Sequence, residues 1–218
     1  MAAHARPGLR GLYVILDPQV VRGFSLVEAL RLATAGGARL FQYRDKVSSP
    51  RDVYRSAERL RQAADDAKAL FVVNDRCDIA MAVDADGVHL GQDDLPVGDA
   101  RAILGPSKLI GLSTHTAEQV RVAPNDADYL GFGPIFPSST KRDHDPVVGI
   151  EGLRTIRTLT RRPIVAIGGI DVERASDVMA AGADAVAVIS AIWTAQDPAA
   201  AVAALIQRLS VHDPPNPR

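Results

Sequence analysis

Short apolar runs alternate with longer amphipathic segments along nearly the whole chain. Most of the runs are continuous rather than alternating, which is typical of parallel strands covered on both faces. The segments between them are rich in Ala, Leu, Arg and Glu at helical spacing, and several begin with a Ser or Asp suited to an N-cap. The pattern predicts strands at residues 12–16, 40–44, 70–74, 87–91, 109–113, 129–133, 163–168 and 185–190.

Eight evenly spaced strand–helix units indicate a single-domain (β/α)8 TIM barrel of the α/β class. Small or acidic residues recur before several strands, as in DADGVHL, NDADYLG and AGADAVAV, which is typical of a helix end and a tight loop. A doubly wound open sheet is the alternative, but no GxGxxG motif opens the chain. We predict a barrel domain at residues 12–209, with flexible tails at 1–11 and 210–218.

Composition and charge limit the classes of protein to which this chain can belong. The chain has 218 residues, 47% of them hydrophobic, which is enough to bury a large core. A formal net charge of -1 argues against nucleic-acid binding, and the single cysteine, Cys77, excludes an internal disulfide and a Cys-based zinc site. No stretch approaches the roughly 20 apolar residues of a membrane helix, and no signal peptide is visible. We expect a cytoplasmic protein acting on small molecules, and assembly into a homo-oligomer stays open.

The stretch LFQYRDK places an amide and two cations in a row on one face of the second predicted strand, while Phe41 and Tyr43 on the other face are suited to packing. Gln42, Arg44 and Lys46 point one way, while Tyr43 and Asp45 point the other. Charges are costly to bury unless something pairs with them. A pyrophosphate group would satisfy both cations, because Arg offers a bidentate fork and Lys a point charge. The pattern therefore indicates a diphosphate site at the carboxyl end of this strand, where TIM barrels hold their active sites.

Two aspartates end neighbouring predicted strands. Asp75 follows the third strand and Asp94 follows the fourth, so we expect their carboxylates to lie close together. One hard cation would relieve their repulsion, and Mg²⁺ favours one or two carboxylates together with substrate phosphates. The alternative is that each aspartate only caps the next helix, which is our interpretation of Asp93.

A second phosphate site is predicted where the last two strands end. The motif IGGI contains Gly168 and Gly169, and the motif VISAI contains Ser190. Backbone N–H groups at such turns bind phosphate in many barrels, although a glycine pair can also serve only as a tight turn. The long polar loop at residues 137–148 is typical of a functional lid.

These motifs together resemble the thiamine-phosphate synthase family. In chain order they are QYRDK, VNDR, DGVHLGQDDLP, GLSTHT, GPIFPSSTK, AIGGI and VISAI, within roughly residues 12–200. The resemblance implies a TIM-barrel transferase that joins 4-amino-2-methyl-5-hydroxymethylpyrimidine diphosphate to a thiazole phosphate. It releases thiamine phosphate and pyrophosphate.

The resemblance also implies roles for individual residues. It assigns the pyrimidine diphosphate to Gln42, Tyr43, Arg44, Asp45, Lys46, Asn74, Ser113 and Lys141. It assigns the thiazole phosphate to Ser138, Ser139, Thr140, Gly168, Gly169, Ile189 and Ser190. It assigns Mg²⁺ to Asp75 and Asp94, and catalysis to Arg44, Lys46 and Lys141. Many family members have Thr where this chain has Ser138, which keeps the hydroxyl.

The residues suit a dissociative substitution, in which pyrophosphate leaves first and a pyrimidine-methyl cation remains. Such a reaction needs cations for the leaving group and correct positioning of the thiazole, but no enzyme nucleophile. The sequence shows no convincing Ser/His or Cys/His pair. We expect His89 to be a hydrogen-bonded barrel residue and His144 to be exposed, and the role of His115 is open.

Three other functions compete with the synthase. A thiazole tautomerase of the same family would need an acid–base residue such as His115, but it has no evident use for the cations of the second strand. A phosphosugar isomerase or epimerase would need a base facing the sugar carbon, which we cannot place. A barrel that only binds a phosphate ligand would be expected to lose its metal carboxylates, whereas Asp75 and Asp94 are both present.

Overall fold

The computed structural model describes residues 9–137 and 146–210, and it places eight parallel strands in a closed barrel. The strands are β1 (Gly11–Leu16), β2 (Leu40–Tyr43), β3 (Leu70–Asn74), β4 (Gly87–Leu90), β5 (Leu109–Thr114), β6 (Tyr129–Phe132), β7 (Ile164–Ile167) and β8 (Ala185–Val188). Each strand pairs with its neighbours in chain order, and β8 pairs with β1. The predicted TIM barrel is confirmed, and every predicted strand end lies within two residues of the observed one.

Helices connect the strands and surround the barrel. They are α1 (Leu26–Ala35), α2 (Pro50–Asp66), α3 (Cys77–Ala82), α4 (Val97–Leu104), α5 (Ala117–Val122), α6 (Gly149–Leu159), α7 (Ala175–Ala180), α8 (Ser190–Trp193) and α9 (Pro198–Ser210). Ser25 caps α1 in a capping box with Glu28, and Ser49 caps α2. Within the described ranges, no helix is long and apolar enough to cross a membrane.

Alternation along each strand sorts the buried side chains into two layers. On β1, Leu12 and Val14 pack against the helices, whereas Tyr13 and Ile15 point into the barrel. The inner layer also contains Val72, Leu109, Tyr129 and Val165. The barrel interior is therefore packed, as in other TIM barrels, and a site can form only at its open end.

The amino-terminal end of the barrel carries a repeated pairing of aspartate with arginine. Asp184 precedes β8, and its Oδ2 accepts hydrogen bonds from the backbone N–H of Ile164 and from Arg157 Nη1, both at 2.8 Å. The same arrangement occurs at Asp86 with Phe71 and Arg61, and at Asp128 with Ile110 and Arg101. We call these three the basal Asp–Arg pairs. They explain the acidic residues that recur before the strands in the sequence.

Candidate active site

A cavity that is open to solvent lies at the carboxyl end of the barrel. Its position matches that of active sites in TIM barrels. Most strands contribute to its wall: the lining residues are Tyr13, Ile15, Gln42, Arg44, Asn74, His89, Ser113, Thr114, His115, Gly131, Gly133, Val165, Ile167, Ala187 and Ile189. Four of the predicted pyrimidine diphosphate residues are among them, Gln42, Arg44, Asn74 and Ser113, together with Ile189 from the predicted thiazole phosphate set.

The predicted polar face of β2 leads from the cavity to its rim. Gln42 is 4% exposed and lies inside the barrel, and Arg44 also lines the cavity. Arg44 Nη1 donates to Asp17 Oδ2 at 2.5 Å. Lys46 follows in the next loop, and its Nζ lies 2.5 Å from Asp75 Oδ2. Both cations therefore have a carboxylate partner.

Asp17 is a site residue that the sequence prediction missed. It directly follows β1, is only 2% exposed, and also accepts a hydrogen bond from the backbone N–H of Gln19 at 2.9 Å. A signal was available, since Asp17 stands at the carboxyl end of a strand, as Asp75 does. The sequence did not show that Arg44 is the partner of Asp17, because only the pairing of β1 with β2 brings the two side chains together.

Tyr43 and Asp45 lie on the other side of β2. The Tyr43 ring is buried in the layer between barrel and helices, and its hydroxyl donates to Asp45 Oδ2 at 3.0 Å. Asp45 Oδ1 accepts from the backbone N–H groups of Val47 and Ser48, each at 3.0 Å. This arrangement stabilises the loop that carries Lys46. Neither residue lines the cavity, so their predicted substrate contacts stay a prediction.

The two predicted metal carboxylates lie together at the ends of β3 and β4. Burial raises the pKa of Asp75; the hydrogen bond from Lys46 lowers it, and the adjoining carboxyl of Asp94, which shares a hydrogen bond with Asp75, raises it further. The Asp75 backbone has a φ of 61°, a left-handed conformation that is uncommon outside glycine and is often found at functional sites. Asp94 Oδ2 accepts the backbone N–H of Gly91 at 2.6 Å.

This pair of carboxylates fits Mg²⁺ better than a closed all-protein metal site. Among the described residues no group of three or more His, Cys, Asp or Glu side chains could hold a metal ion. Mg²⁺ needs only one or two carboxylates and completes its shell with water and phosphate oxygens. Burial is the main cause of the raised pKa of Asp75, and the Asp94 carboxyl beside it adds a second acidic group, which a divalent cation could bind together with Asp75.

The structure answers the question of whether these aspartates only cap helices. Helix α3 has Arg76 at its N-cap and α4 has Pro96, and neither helix has a side-chain cap hydrogen bond. Asp75 and Asp94 are therefore not helix caps. Our interpretation of Asp93 as the cap of α4 is wrong as well, since this side chain is exposed and the cap position is taken by proline.

A row of hydrogen-bonded side chains crosses the barrel at the cavity, which four of the five line. His89 lies 2.9 Å from Ser113 Oγ through Nε2 and 3.0 Å from the Tyr129 hydroxyl through Nδ1. The Tyr129 hydroxyl lies 3.1 Å from that of Tyr13, which accepts from Gln42 Nε2 at 3.2 Å. The prediction that His89 is a hydrogen-bonded barrel residue is confirmed. Its link to Ser113 was not visible in the sequence.

The turn after β7 consists of two glycines because the loop after β6 packs closely against it. Gly168 and Gly169 have φ values of 102° and 60°, and both lie against the loop after β6. A Cβ on Gly168 would come within 2.5 Å of Pro134 Cβ, and one on Gly169 within 2.8 Å of Phe136 Cβ. The tight turn that the sequence offered as an alternative is therefore present, and phosphate binding by this turn stays a prediction.

Ser190 is the first residue of the short helix α8, directly after the cavity residue Ile189. The helix is held against the barrel by Trp193, whose buried indole Nε1 donates to the carbonyl of Ile15 at 2.8 Å. This contact between α8 and β1 fixes where Ser190 lies relative to the strand ends. Ser190 therefore lies just beyond the carboxyl end of β8, where the second phosphate is predicted.

His115 lies at the cavity wall after β5. Its Nδ1 lies 2.7 Å from the carbonyl oxygen of Gly133, which can only accept, so Nδ1 carries a proton and donates. Its backbone N–H donates to Gln119 Oε1 at 2.6 Å. The Nδ1 bond holds the ring in one orientation, and the backbone bond holds the loop that carries it.

Comparison with known proteins identifies the family. The family model described as thiamine monophosphate synthase matches residues 12–192, which is most of the barrel. The chain belongs to this family. A thiamine-phosphate synthase from Chloroflexus aurantiacus is 48% identical over 201 residues, covering 92% of this chain and 93% of the relative. One from Moorella thermoacetica is 48% identical over 191 residues, covering 87% and 91%.

A solved structure agrees with these relatives. Thiamine phosphate pyrophosphorylase from Pyrococcus furiosus superposes with a TM-score of 0.83 at 40% identity, covering 93% of this chain and 96% of that structure. Membership of the thiamine monophosphate synthase family makes this chain an enzyme, a transferase of thiamine biosynthesis. The resemblance inferred from the sequence motifs is confirmed.

One family motif lies partly outside the residues that the structure describes. The segment GPIFPSSTK runs into positions 138–145, which are not described. The predicted roles of five loop residues therefore stay predictions. These residues are Ser138, Ser139, Thr140, Lys141 and His144.

Proposed function

We propose that this thiamine-phosphate synthase works by a Mg²⁺-assisted dissociative substitution at the described cavity. The observation that carries the proposal is the arrangement of Lys46, Asp75 and Asp94 beside Arg44 at one side of the mouth. Such a cluster serves a reaction in which negative charge builds up on a leaving diphosphate. When bound there, Mg²⁺ would neutralise part of that charge.

Arg44 and Lys46 would bind the diphosphate through donors that are within reach of the mouth. Arg44 uses Nη1 for Asp17, but a guanidinium has five N–H donors, so others can bind phosphate oxygens. Lys46 is about half exposed in its pair with Asp75, so it can move to a phosphate oxygen at little cost. A metal bound by Asp75 and Asp94 would favour that movement, because Asp75 would no longer need the ammonium group.

The cavity below would hold the pyrimidine. Gln42, Asn74 and Ser113 provide amide and hydroxyl groups suited to an aminopyrimidine, whose ring nitrogens accept and whose amino group donates. Ile15 and Val165 form an apolar floor. An apolar floor excludes water from a pyrimidine-methyl cation, which water would otherwise convert to the alcohol.

The thiazole phosphate would bind at the ends of β7 and β8. Gly168, Gly169, Ile189 and Ser190 lie there, away from the cations and carboxylates of the β2–β4 side. Two separate phosphate positions would hold the thiazole nitrogen next to the reacting carbon, which is the proximity that such a substitution needs. Lys141, in the loop beyond the described residues, would complete the diphosphate site.

The test is an assay of the purified protein with both substrates, with and without Mg²⁺. We expect thiamine phosphate and pyrophosphate in equal amounts, and activity that falls to background with a chelator. An electron-withdrawing substituent on the pyrimidine should slow the reaction by orders of magnitude if a cation forms. An unchanged rate with that substrate would reject the dissociative step while leaving the synthase activity standing.

The tautomerase alternative is separated by the same assay. Thiazole phosphate alone should be returned unchanged by a synthase, whereas a tautomerase would isomerise it without the pyrimidine substrate. His115 is the residue such a reaction would use, and His115→Gln would then abolish it. We further propose that the enzyme acts in the cytoplasm on these two small molecules.

A further inference from the structure

A continuous hydrogen-bond chain connects two cavity residues whose strands lie three positions apart around the barrel. It runs from Gln42 on β2 through Tyr13, Tyr129 and His89 to Ser113 on β5, with successive distances of 3.2, 3.1, 3.0 and 2.9 Å. We call these five side chains the barrel chain. Its two ends, Gln42 and Ser113, line the cavity, as do Tyr13 and His89, and both tyrosines are almost completely buried.

Two strand glycines leave the space that the barrel chain occupies. A Cβ on Gly111 of β5 would come within 2.5 Å of the Tyr129 hydroxyl oxygen, and one on Gly131 of β6 within 2.9 Å of His89 Cε1. Glycine inside a strand costs about 0.5–1 kcal/mol relative to alanine, and it often marks a close approach of another group. At both positions, a side chain larger than hydrogen would collide with Tyr129 or His89 of the barrel chain. Glycine on β5 and β6 therefore leaves the space that the barrel chain needs.

Proton counting gives the barrel chain a direction. Gln42 Nε2 can only donate, so the Tyr13 hydroxyl accepts there and gives its single proton to Tyr129. Tyr129 then gives its own proton to His89 Nδ1. His89 therefore carries its proton on Nε2 and donates to Ser113 Oγ.

The direction of proton donation along the barrel chain determines whether the Ser113 hydroxyl donates or accepts a hydrogen bond in the cavity. Since Ser113 Oγ accepts from His89, its own proton is directed away from the ring and can be donated into the cavity. If the Gln42 amide turned over and presented its oxygen to Tyr13, every proton along the chain would reverse, and Ser113 would become an acceptor instead. Burial raises the pKa of Tyr13 to about 12 and raises that of Tyr129 well above its usual value, so both phenols keep their protons.

We propose that Tyr13, Tyr129 and His89 are positioning residues that couple Gln42 to Ser113 and set the Ser113 hydroxyl as a hydrogen-bond donor toward the substrate. The part that concerns substrate rests on the proposed function, in which Gln42 and Ser113 both contact the pyrimidine. The two contacts are then one unit: a pyrimidine that fixes the Gln42 amide also fixes the proton on the far side of the cavity.

The first test needs no substrate. In histidine-labelled protein, ¹⁵N NMR should show His89 with its proton on Nε2, with the signal assigned by its loss in His89→Gln. Tyr129→Phe removes the proton that Nδ1 accepts, so the signal should shift toward a mixture of tautomers. Tyr54→Phe is the matched control, because that hydroxyl bonds to Glu58 on the surface of α2, and it should change nothing. A proton on Nδ1 in the parent, or no shift in Tyr129→Phe, would overturn the proposal.

The second test measures the coupling between the two ends. Gln42→Met and Ser113→Ala are combined in a double-mutant cycle, with kcat/KM for the pyrimidine diphosphate as the readout. In the parent the combined loss should differ from the product of the single losses by at least about 5-fold, and in a Tyr129→Phe background by less than about 2-fold. Equal coupling in both backgrounds would reject the chain.

Two other results, a variant that does not fold and a parent that is inactive, can be told apart from a failure of the proposal. If Tyr129→Phe fails to fold, Tyr13→Phe breaks the same chain at another link and replaces it in both tests. If the parent forms no thiamine phosphate, the proposed function fails, but the NMR test still decides whether the chain sets the His89 tautomer.

Discussion

The two ends of the barrel use the same pairing of aspartate with a cation for different purposes. At the amino end, the basal Asp–Arg pairs repeat before β4, β6 and β8, and each carboxylate also accepts a backbone N–H of the preceding strand. At the carboxyl end, Asp17 pairs with Arg44 and Asp75 with Lys46, beside an open cavity. TIM barrels in general keep stability at the first end and chemistry at the second.

The difference lies in what else each carboxylate binds. A basal aspartate has a strand N–H and a guanidinium on one oxygen, so its charge is balanced within the framework. Asp75 instead faces a second carboxylate, Asp94, and its pKa is raised by burial and by that neighbour. We therefore expect the basal pairs to stabilise the fold and the Asp75 cluster, with its additional carboxylate, to bind a ligand.

The largest difference in activity is expected between Asp75→Asn at the carboxyl end and Asp184→Asn at the amino end. Asparagine keeps the shape and tolerates the left-handed φ of 61° at position 75, so only the charge changes. We expect turnover to fall about 100-fold or more in Asp75→Asn, with a higher Mg²⁺ requirement, and to stay near the parent value in Asp184→Asn. Steady-state kinetics across a Mg²⁺ series checks both, and near-normal activity of Asp75→Asn at low Mg²⁺ would exclude it as a ligand.

A second comparison sharpens the division within the carboxyl end. Arg44→Ala should raise the KM for pyrimidine diphosphate more than that for thiazole phosphate, and Ser190→Ala should do the reverse. Loss of one hydrogen bond to a charged group costs about 1.5–3 kcal/mol, which is roughly 10- to 100-fold in KM. Equal effects of either variant on both substrates would show that the two phosphate sites are wrongly divided.

The amino end should respond in stability rather than in activity. Asp184→Ala leaves the Ile164 N–H and Arg157 without their shared acceptor, so the free energy of unfolding should fall by about 1–3 kcal/mol. Urea denaturation measures the loss, and kcat should be unchanged at a temperature where the variant is folded. Asp66→Ala on the exposed surface of α2 is the control, with an expected change within about 0.5 kcal/mol.

The smallest effect concerns pH. Because the pKa of Asp75 is raised in the folded protein, the folded state binds this proton more tightly than the unfolded chain does. Its contribution to stability is therefore present below the unfolded value of 3.8 and is lost as pH rises through the folded pKa. Without Mg²⁺, Asp75→Asn should be more stable relative to the parent at pH 7 than at pH 3, by less than about 4 °C in Tm.

Added Mg²⁺ should reverse the order at pH 7. Binding to the folded parent raises its Tm, whereas Asp75→Asn should gain little. A thermal melt series with and without Mg²⁺ checks this, and a parent that loses no stability between pH 3 and pH 7 relative to the variant would contradict the raised pKa.

Local pattern was enough to predict the barrel and the position of its site. Each strand is a short apolar run, and the rule that function lies at carboxyl strand ends led directly to Gln42, Arg44, Asp75 and Asp94. Those inferences depend only on residues a few positions apart, because strand and helix periods are local properties of the chain. The motif combination then indicated the family, which the comparisons confirm.

Only the tertiary structure determined which side chains from different strands form hydrogen bonds and ion pairs with one another. Tyr13 and Tyr129 are separated by 116 residues and look like ordinary core residues in the sequence, yet their hydroxyls meet inside the barrel. Asp17 likewise reaches Arg44 only because β1 and β2 pair in one particular register. Closure and stagger of the eight strands determine which inward side chains share a level, and no short stretch of sequence contains that information.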